Sequence, residues 1–256
     1  MDIASPTGSV ADTLAFPFRG PNWKSKLLIA VLLGIGGMFT FFISTLFLGG
    51  YFVRLMRRVI LEDAAPALPD WDDWGRLFID GLKLAVASLV YSLPLVVLFG
   101  LGYTLYLVPV ILSPSAGSDE AVTSLILLGM GAGWCLFGIG MLFTAFLMFV
   151  LPAALAHLAA HSSFAAAFHI RSWWAIFRRS FWDFLTATVV LFGLVGLLSL
   201  VYNAFIFTFI LCWLAPFVLI ALMTYASLVY FALVAQAYRA GMQRLPGVAA
   251  LVPAAD

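Results

Sequence analysis

The sequence predicts an all-α integral membrane protein with five transmembrane helices and two interfacial amphipathic helices, built on a duplicated helix–connector–helix unit. Three observations carry that expectation. Hydrophobic residues make up 64% of the chain and charged residues 10%, with a mean hydropathy of +1.10, well beyond any soluble domain. No Asp, Glu, Lys or Arg occurs in residues 27–53, 84–118, 121–170 or 184–238, and each run exceeds the ~20 residues of helix that a bilayer core about 30 Å thick requires. The pattern R-x-F-x-D then occurs twice, as Arg76-Leu-Phe-Ile-Asp80 and Arg179-Ser-Phe-Trp-Asp183, each just ahead of such a run. The two copies stand 103 residues apart, and the same offset carries Trp71 onto Trp174, so the expected unit is a membrane helix, an amphipathic connector and a second membrane helix, used twice.

Residues 1–26 form a polar N-terminal arm with Pro6, Pro17 and Pro21, ending in a Trp23, Lys24, Lys26 anchor of the aromatic and basic kind found at membrane surfaces. The transmembrane domain spans residues 27–238. Its first repeat, about 27–106, begins with a span from Leu27 to Leu48; the 27-residue run is short for two legs, so one full span is preferred over a re-entrant hairpin bent at Gly34, Gly36 and Gly37. Arg54, Arg57 and Arg58 form a basic end, Pro66 and Pro69 stop the helix, and Asp70 is placed as the N-cap of the next, where a carboxylate accepts from unpaired amides. Trp71, Trp74, Phe78 and Leu82 recur at helical spacing as an interfacial stripe leading into span two, roughly Leu82 to Tyr106, which contains Pro94. A polar loop at Ser113–Ser124 precedes the second repeat, about 125–205. Its span Leu125–Val150 is rich in glycine, which permits close helix contact. Phe164–Trp182 repeats the interfacial theme. Span four covers Phe184–Leu200, Asn203 marks a turn, and the final span covers about 209–236, before a tail at 239–256.

With the connectors and C-terminus in the cytoplasm, ten basic residues lie inside (Arg54, Arg57, Arg58, Arg76, Lys83, Arg171, Arg178, Arg179, Arg239, Arg244) and three outside (Arg19, Lys24, Lys26), which sets the orientation. A re-entrant first run would bring those three inside as well.

Continuously apolar runs exclude a β-barrel. A net charge of +1 with no basic stripe argues against a nucleic-acid partner. Cys135 and Cys212 both fall within predicted spans, where thiols behave as small hydrophobes. His157 and His161 stand four apart, as two metal ligands on a helix do, with His169 beyond; no acidic residue or cysteine accompanies them, so they are weak metal candidates and no cofactor is expected. The Asp-rich stretch at 70–73 alternates with Trp and reads as helix capping, so an enzyme is not expected. The spans hold no charged residue for ion coupling.

Arg76 with Asp80, and Arg179 with Asp183, face one side of a helix, and with Trp71 and Trp174 they are the candidate site for an anionic lipid headgroup or a carboxylate of a membrane partner. As a purely structural feature, each is an i, i+4 surface ion pair worth a few tenths of a kcal/mol.

Gly50-Tyr51, Arg54, Arg57-Arg58, Leu68-Pro69-Asp70-Trp71-Asp72-Asp73-Trp74 and Phe78-Ile79-Asp80-Gly81-Leu82-Lys83 together resemble the signature of a prokaryotic multi-span membrane family, domain of unknown function 4013, over approximately residues 14–236. Phe164-Ala-Ala-Ala-Phe168 and Phe181-Trp182-Asp183-Phe184-Leu185 also resemble its interfacial segment and, more loosely, membrane domains attached to some glycerophosphodiester phosphodiesterases. The resemblance implies a compact helical protein of the prokaryotic cytoplasmic membrane and brings no catalytic or ligand residues. The expected function is a non-enzymatic binding or accessory role at the cytoplasmic face, with membrane lipids or other membrane-protein subunits as partners. Two alternatives stand beside it: a passive transporter or channel for a neutral or lipidic solute, and a structural subunit of a larger energy-converting complex.

Overall fold

The computed structural model describes residues 10–62, 65–112, 120–207 and 213–245. Among them all regular structure is helical, without a strand. The elements are α1 (Val10–Ala15), a 3-10 turn (Phe16–Phe18), α2 (Trp23–Phe39), α3 (Ile43–Leu61), α4 (Trp74–Leu112), α5 (Glu120–His161), a second 3-10 turn (Phe164–Phe168), α6 (Ile170–Arg179), α7 (Phe181–Phe207) and α8 (Ala215–Gln243). Within these described residues four helices, α4, α5, α7 and α8, are long and apolar enough to cross a membrane.

The first apolar run does not form the single span expected from Leu27 to Leu48. It is broken at Thr40–Phe42, where Phe41 and Phe42 take left-handed φ values of 47° and 67°, and α2 and α3 pack against each other as a hairpin. The Ser44 hydroxyl donates to the Leu33 carbonyl across the hairpin at 2.8 Å. The feet of the hairpin meet the same connector. Lys26 Nζ, in the first turn of α2, donates to the Leu68 carbonyl at 3.0 Å, and the Tyr51 hydroxyl on α3 donates to the Pro69 carbonyl at 2.9 Å. Hydropathy cannot distinguish a reversed helix pair from a straight span, because both are equally apolar.

The remaining boundaries shift for local reasons. The N-cap of α4 is Asp73, whose carboxylate accepts from the Arg76 amide at 3.2 Å, while Asp70 pairs with Lys26 instead. Helix α4 runs unbroken from Trp74, so the first connector and span two are one helix of 39 residues. The second connector is a separate helix: α6 buries Trp173, Ile176 and Phe177, exposes its arginines, and ends at Ser180 before α7 begins. Asn203 does not turn the chain. It lies inside α7, where its side-chain amide donates to the Ser199 carbonyl at 2.7 Å. The polar loop at 113–119, Cys212, the start of the final span at 209–212, the first nine residues and the tail from 246 lie outside the described residues.

The contacts divide the chain into two compact units, Met1–Ala87 with Pro152–Asp256, and Ser88–Leu151. In the smaller unit the α4 and α5 segments approach through glycine. A side chain at Gly133 would meet the Gly102 carbonyl oxygen at 2.8 Å, and one at Gly140 would meet the Phe99 ring at 3.0 Å. This is the close contact that the glycine-rich span foreshadows.

In the larger unit α8 is the central post, packing against α1, α2, α3, α6 and α7. Small residues on its buried face (Ala226, Ala232, Ala235, Ala237, Gly241) alternate with larger ones such as Leu228, Leu233 and Tyr238 and let neighbouring helices come close. Helices α3 and α4 cross at Gly50 and Gly81, where any Cβ would collide with the backbone carbonyls of Leu77 and Leu46 respectively. Backbone cannot yield as a side chain does, so Gly50→Ala or Gly81→Ala is expected to lower stability by about 1–3 kcal/mol or more. Gly75→Ala, which meets open space, stays within about 0.5 kcal/mol. Unfolding of the three variants in mixed micelles checks the contrast.

Candidate functional site

The connector at residues 65–73 is pinned to α3 by an aromatic stack. Trp71 lies parallel to Tyr51, with ring centroids 4.0 Å apart and an interplanar angle of 7°, and Trp74 continues the stack at 5.6 Å. The Trp71 indole N–H donates to the Lys26 carbonyl at 3.0 Å, so this residue, expected at a binding surface, is half-buried as a structural wedge. Arg54 reaches across to the carbonyls of Asp70 and Asp72 at 2.9 and 3.1 Å and pairs with the Asp72 carboxylate.

One turn further along α3, Arg57 meets Asp80. The Asp80 carboxylate is 5% exposed and accepts from Arg57 at 3.0 Å, with Lys83 Nζ at 3.6 Å and Arg76 at 4.0 Å. The expected Arg76–Asp80 pair is therefore the weakest of the three contacts. Arg57 also donates to the Ala159 carbonyl at 3.2 Å, and Lys83 to the Ser162 carbonyl at 3.0 Å, so the buried charge is tied to the end of α5 as well. A buried carboxylate needs such partners, since desolvation alone would cost several kcal/mol.

With Asp80 satisfied from elsewhere, Arg76 stays 58% exposed at its side chain. It joins Arg54, Arg57 and Arg58 around a recess of about 270 Å³ that Glu62, Asp70 and Asp72 also line. Four guanidiniums thus face three carboxylates. Among the described residues Arg58 makes only an exposed pair with Glu62 at 3.3 Å, so Arg58 and Arg76 are the least constrained of the four. The Lys26 ammonium, which donates to Asp70 and sits beside it, holds that carboxyl below the usual carboxylate range, so Asp70 stays charged at the rim.

The second R-x-F-x-D copy is built differently. Asp183 pairs with Arg244 at 2.6 Å rather than with Arg179, whose guanidinium donates to the Arg244 carbonyl at 3.0 Å. Trp174 is half-buried and stacks on Phe177 at 5.4 Å. In both copies the aspartate's closest cation comes from another helix or its end, Arg57 in one and Arg244 in the other, a relation that i, i+4 spacing does not disclose. Arg54, Arg57 and Arg58 were visible in the sequence only as a basic helix end, although their i, i+3, i+4 spacing already put them on one face.

The histidines gather as well. His157 is buried at 5% exposure and hydrogen-bonded through Nδ1 to the Tyr238 hydroxyl, and its ring lies 4.3 Å from that of His161. Both line a cavity of about 560 Å³ together with His169. Among the described residues no group of three or more His, Cys, Asp or Glu is placed to hold a metal ion.

The family model described as "Protein of unknown function (DUF4013)" matches residues 32–207. The chain belongs to that family. No curated protein and no solved structure matches it. The DUF4013 match takes in the whole arginine recess, the Asp80 network and the three histidines, and stops short of Tyr238 and Arg244, which complete the second motif and the histidine cavity from α8 and its end.

The same motif in two settings makes a direct comparison. Asp80→Ala strands Arg57 and Lys83 and is expected to destabilise this DUF4013 protein by about 3–5 kcal/mol. Asp183→Ala, at an aspartate 37% exposed, costs less than about 1 kcal/mol. Denaturant unfolding of the two variants side by side reads the difference.

Proposed function

We propose that this protein is a non-enzymatic, multi-pass component of a prokaryotic cytoplasmic membrane whose arginine recess binds the headgroup of an anionic lipid at the cytoplasmic face. The observation that carries the reading is the convergence of Arg54, Arg57, Arg58 and Arg76 on one recess, with Arg58 and Arg76 left largely unlocked. A phosphodiester offers acceptors that guanidinium donors match in a fork, and an anionic leaflet adds about 1 kcal/mol per basic residue near its surface. Arg178 and Arg179 line a second recess of about 420 Å³ at the end of α6. We regard the R-x-F-x-D copies as halves of a duplicated unit, supported by the way each aspartate takes an arginine from another helix or its end.

The topology that accompanies this reading has four spans and a re-entrant α2–α3 hairpin in place of a fifth. Both feet of that hairpin touch the connector at 65–73, so Arg19, Lys24 and Lys26 fall on the side of the other ten basic residues and the positive-inside rule has no exception. In a background carrying Cys135→Ser and Cys212→Ser, single cysteines introduced by Lys24→Cys and Arg178→Cys are expected to react with an impermeant maleimide from the cytoplasmic side alone. Labelling of the two from opposite sides overturns the hairpin topology.

For lipid binding, native mass spectrometry of protein drawn from mixed phosphatidylglycerol and phosphatidylcholine bilayers reads the preference directly. Arg58→Glu with Arg76→Glu is expected to lower the phosphatidylglycerol preference by at least about tenfold, with Arg179→Glu adding a smaller loss. A folded variant with undiminished preference removes the proposal.

A further inference from the structure

We propose that the histidine cavity is a second, separate binding site, for a small amphiphile with a single acidic headgroup on an apolar chain, in the class of a medium-chain carboxylate. The inference does not rest on the arginine recess. Three elements build the cavity: the last turn and a half of α5 (His157, His161), the segment through α6 (His169, Ser172, Ile176) and the end of α8 (Tyr238, Met242). Its volume of about 560 Å³ lies inside the ~300–1,000 Å³ range of small-molecule sites and is far larger than an ion needs.

The lining fixes the ligand's chemistry. Ala166, Ala175, Ile176, Met242 and Leu245 give apolar walls, which suit a hydrocarbon chain. Imidazoles and hydroxyls supply the polar groups, and among the described residues no carboxylate lines the cavity. Tyr238 occupies one nitrogen of His157 and so fixes that ring, while His161 makes no hydrogen bond among the described residues and keeps both nitrogens for a ligand. A neutral imidazole N–H, like the Tyr238 and Ser172 hydroxyls, donates to a carboxylate oxygen. Arg178 and Arg179 line the neighbouring recess that shares Ala175 and Leu245 with this cavity, and Arg178 makes no ion pair or hydrogen bond among the described residues. A metal ion fits less well, because the two close rings have no third ligand placed beside them.

The test is equilibrium binding of three probes of one chain length, decanoate, decanol and decyltrimethylammonium, to the full chain in phosphatidylcholine nanodiscs, with empty nanodiscs as the partition blank. Decanoate is expected to bind saturably at one site per chain and about tenfold or more tighter than either other probe. His161→Ala with His169→Ala weakens decanoate by about tenfold and leaves decanol unchanged. Ala175→Trp fills the cavity and abolishes saturable binding. Ser172→Trp does the same from an exposed rim position, where folding is not at stake. Arg58→Glu with Arg76→Glu leaves decanoate binding intact, which keeps this site distinct from the lipid recess. Equal binding of the three probes overturns the proposal, and so does decanoate binding that survives both tryptophan variants. Stoichiometric cobalt(II) absorbance lost in His161→Ala, without saturable decanoate binding, also overturns it and assigns the pair to a metal.

Discussion

The buried Asp80 carboxylate is the constraint around which the α3–α4–α5 corner is organised. At 5% exposure its charge is tolerable only because Arg57 and Lys83 reach it, and each of those cations is also fixed on a backbone carbonyl near the end of α5, at Ala159 and Ser162. One buried charge therefore joins three helices. The arrangement depends in turn on the Gly50–Gly81 crossing. Gly50, Arg54 and Arg57 lie on one face of α3 at i, i+4 and i+7, and Gly81 adjoins Asp80, so the crossing that brings backbone onto backbone is also what puts Arg57 within 3.0 Å of the carboxylate. A larger residue at either glycine would separate the ion pair as well as the helices.

This arrangement explains why one sequence pattern serves two purposes. In the first copy Asp80 turns inward and takes its cations from α3 and from Lys83, which releases Arg76 to the recess. In the second, α6 ends at Ser180, one residue after Arg179, and a new helix begins, so Arg179 and Asp183 sit on different helices and the i, i+4 relation is lost. Asp183 then finds Arg244 past the end of α8. Local spacing gives the charges that are available, and burial and helix continuity decide which of them pair.

The sequence was most legible where physics is local. Uncharged runs disclosed the four long helices, the glycines of the third predicted span anticipated its close contact, and the basic end of α3 was in plain view. It was least legible where direction or distance decides. The hairpin break falls at Thr40–Phe42, after the glycines that seemed suited to it. Gly34 and Gly37 instead lie where a side chain would strike Ile220 or Thr45, so they serve packing, and two phenylalanines adopt the left-handed turn. Asp70 looked like an N-cap because it opens the acidic stretch. Lys26, far back in the chain, claims it, and capping passes to Asp73.

The histidines show the same limit from the other direction. Their i, i+4 spacing placed two rings on one face correctly, but their environment is set by Tyr238, 81 residues from His157. That tyrosine lies at 0% exposure on the post helix, beside the buried Val234, Ala235 and Ala237. Three residues later Gly241 admits α6 so closely that any side chain there would meet Ile176 and Ser180. Past these two contacts Met242 and Leu245, at and just past the end of α8, line the cavity together with Ile176 of α6. His157 and His161 reach the cavity from the end of α5, the same end whose Ala159 carbonyl accepts from Arg57 of α3.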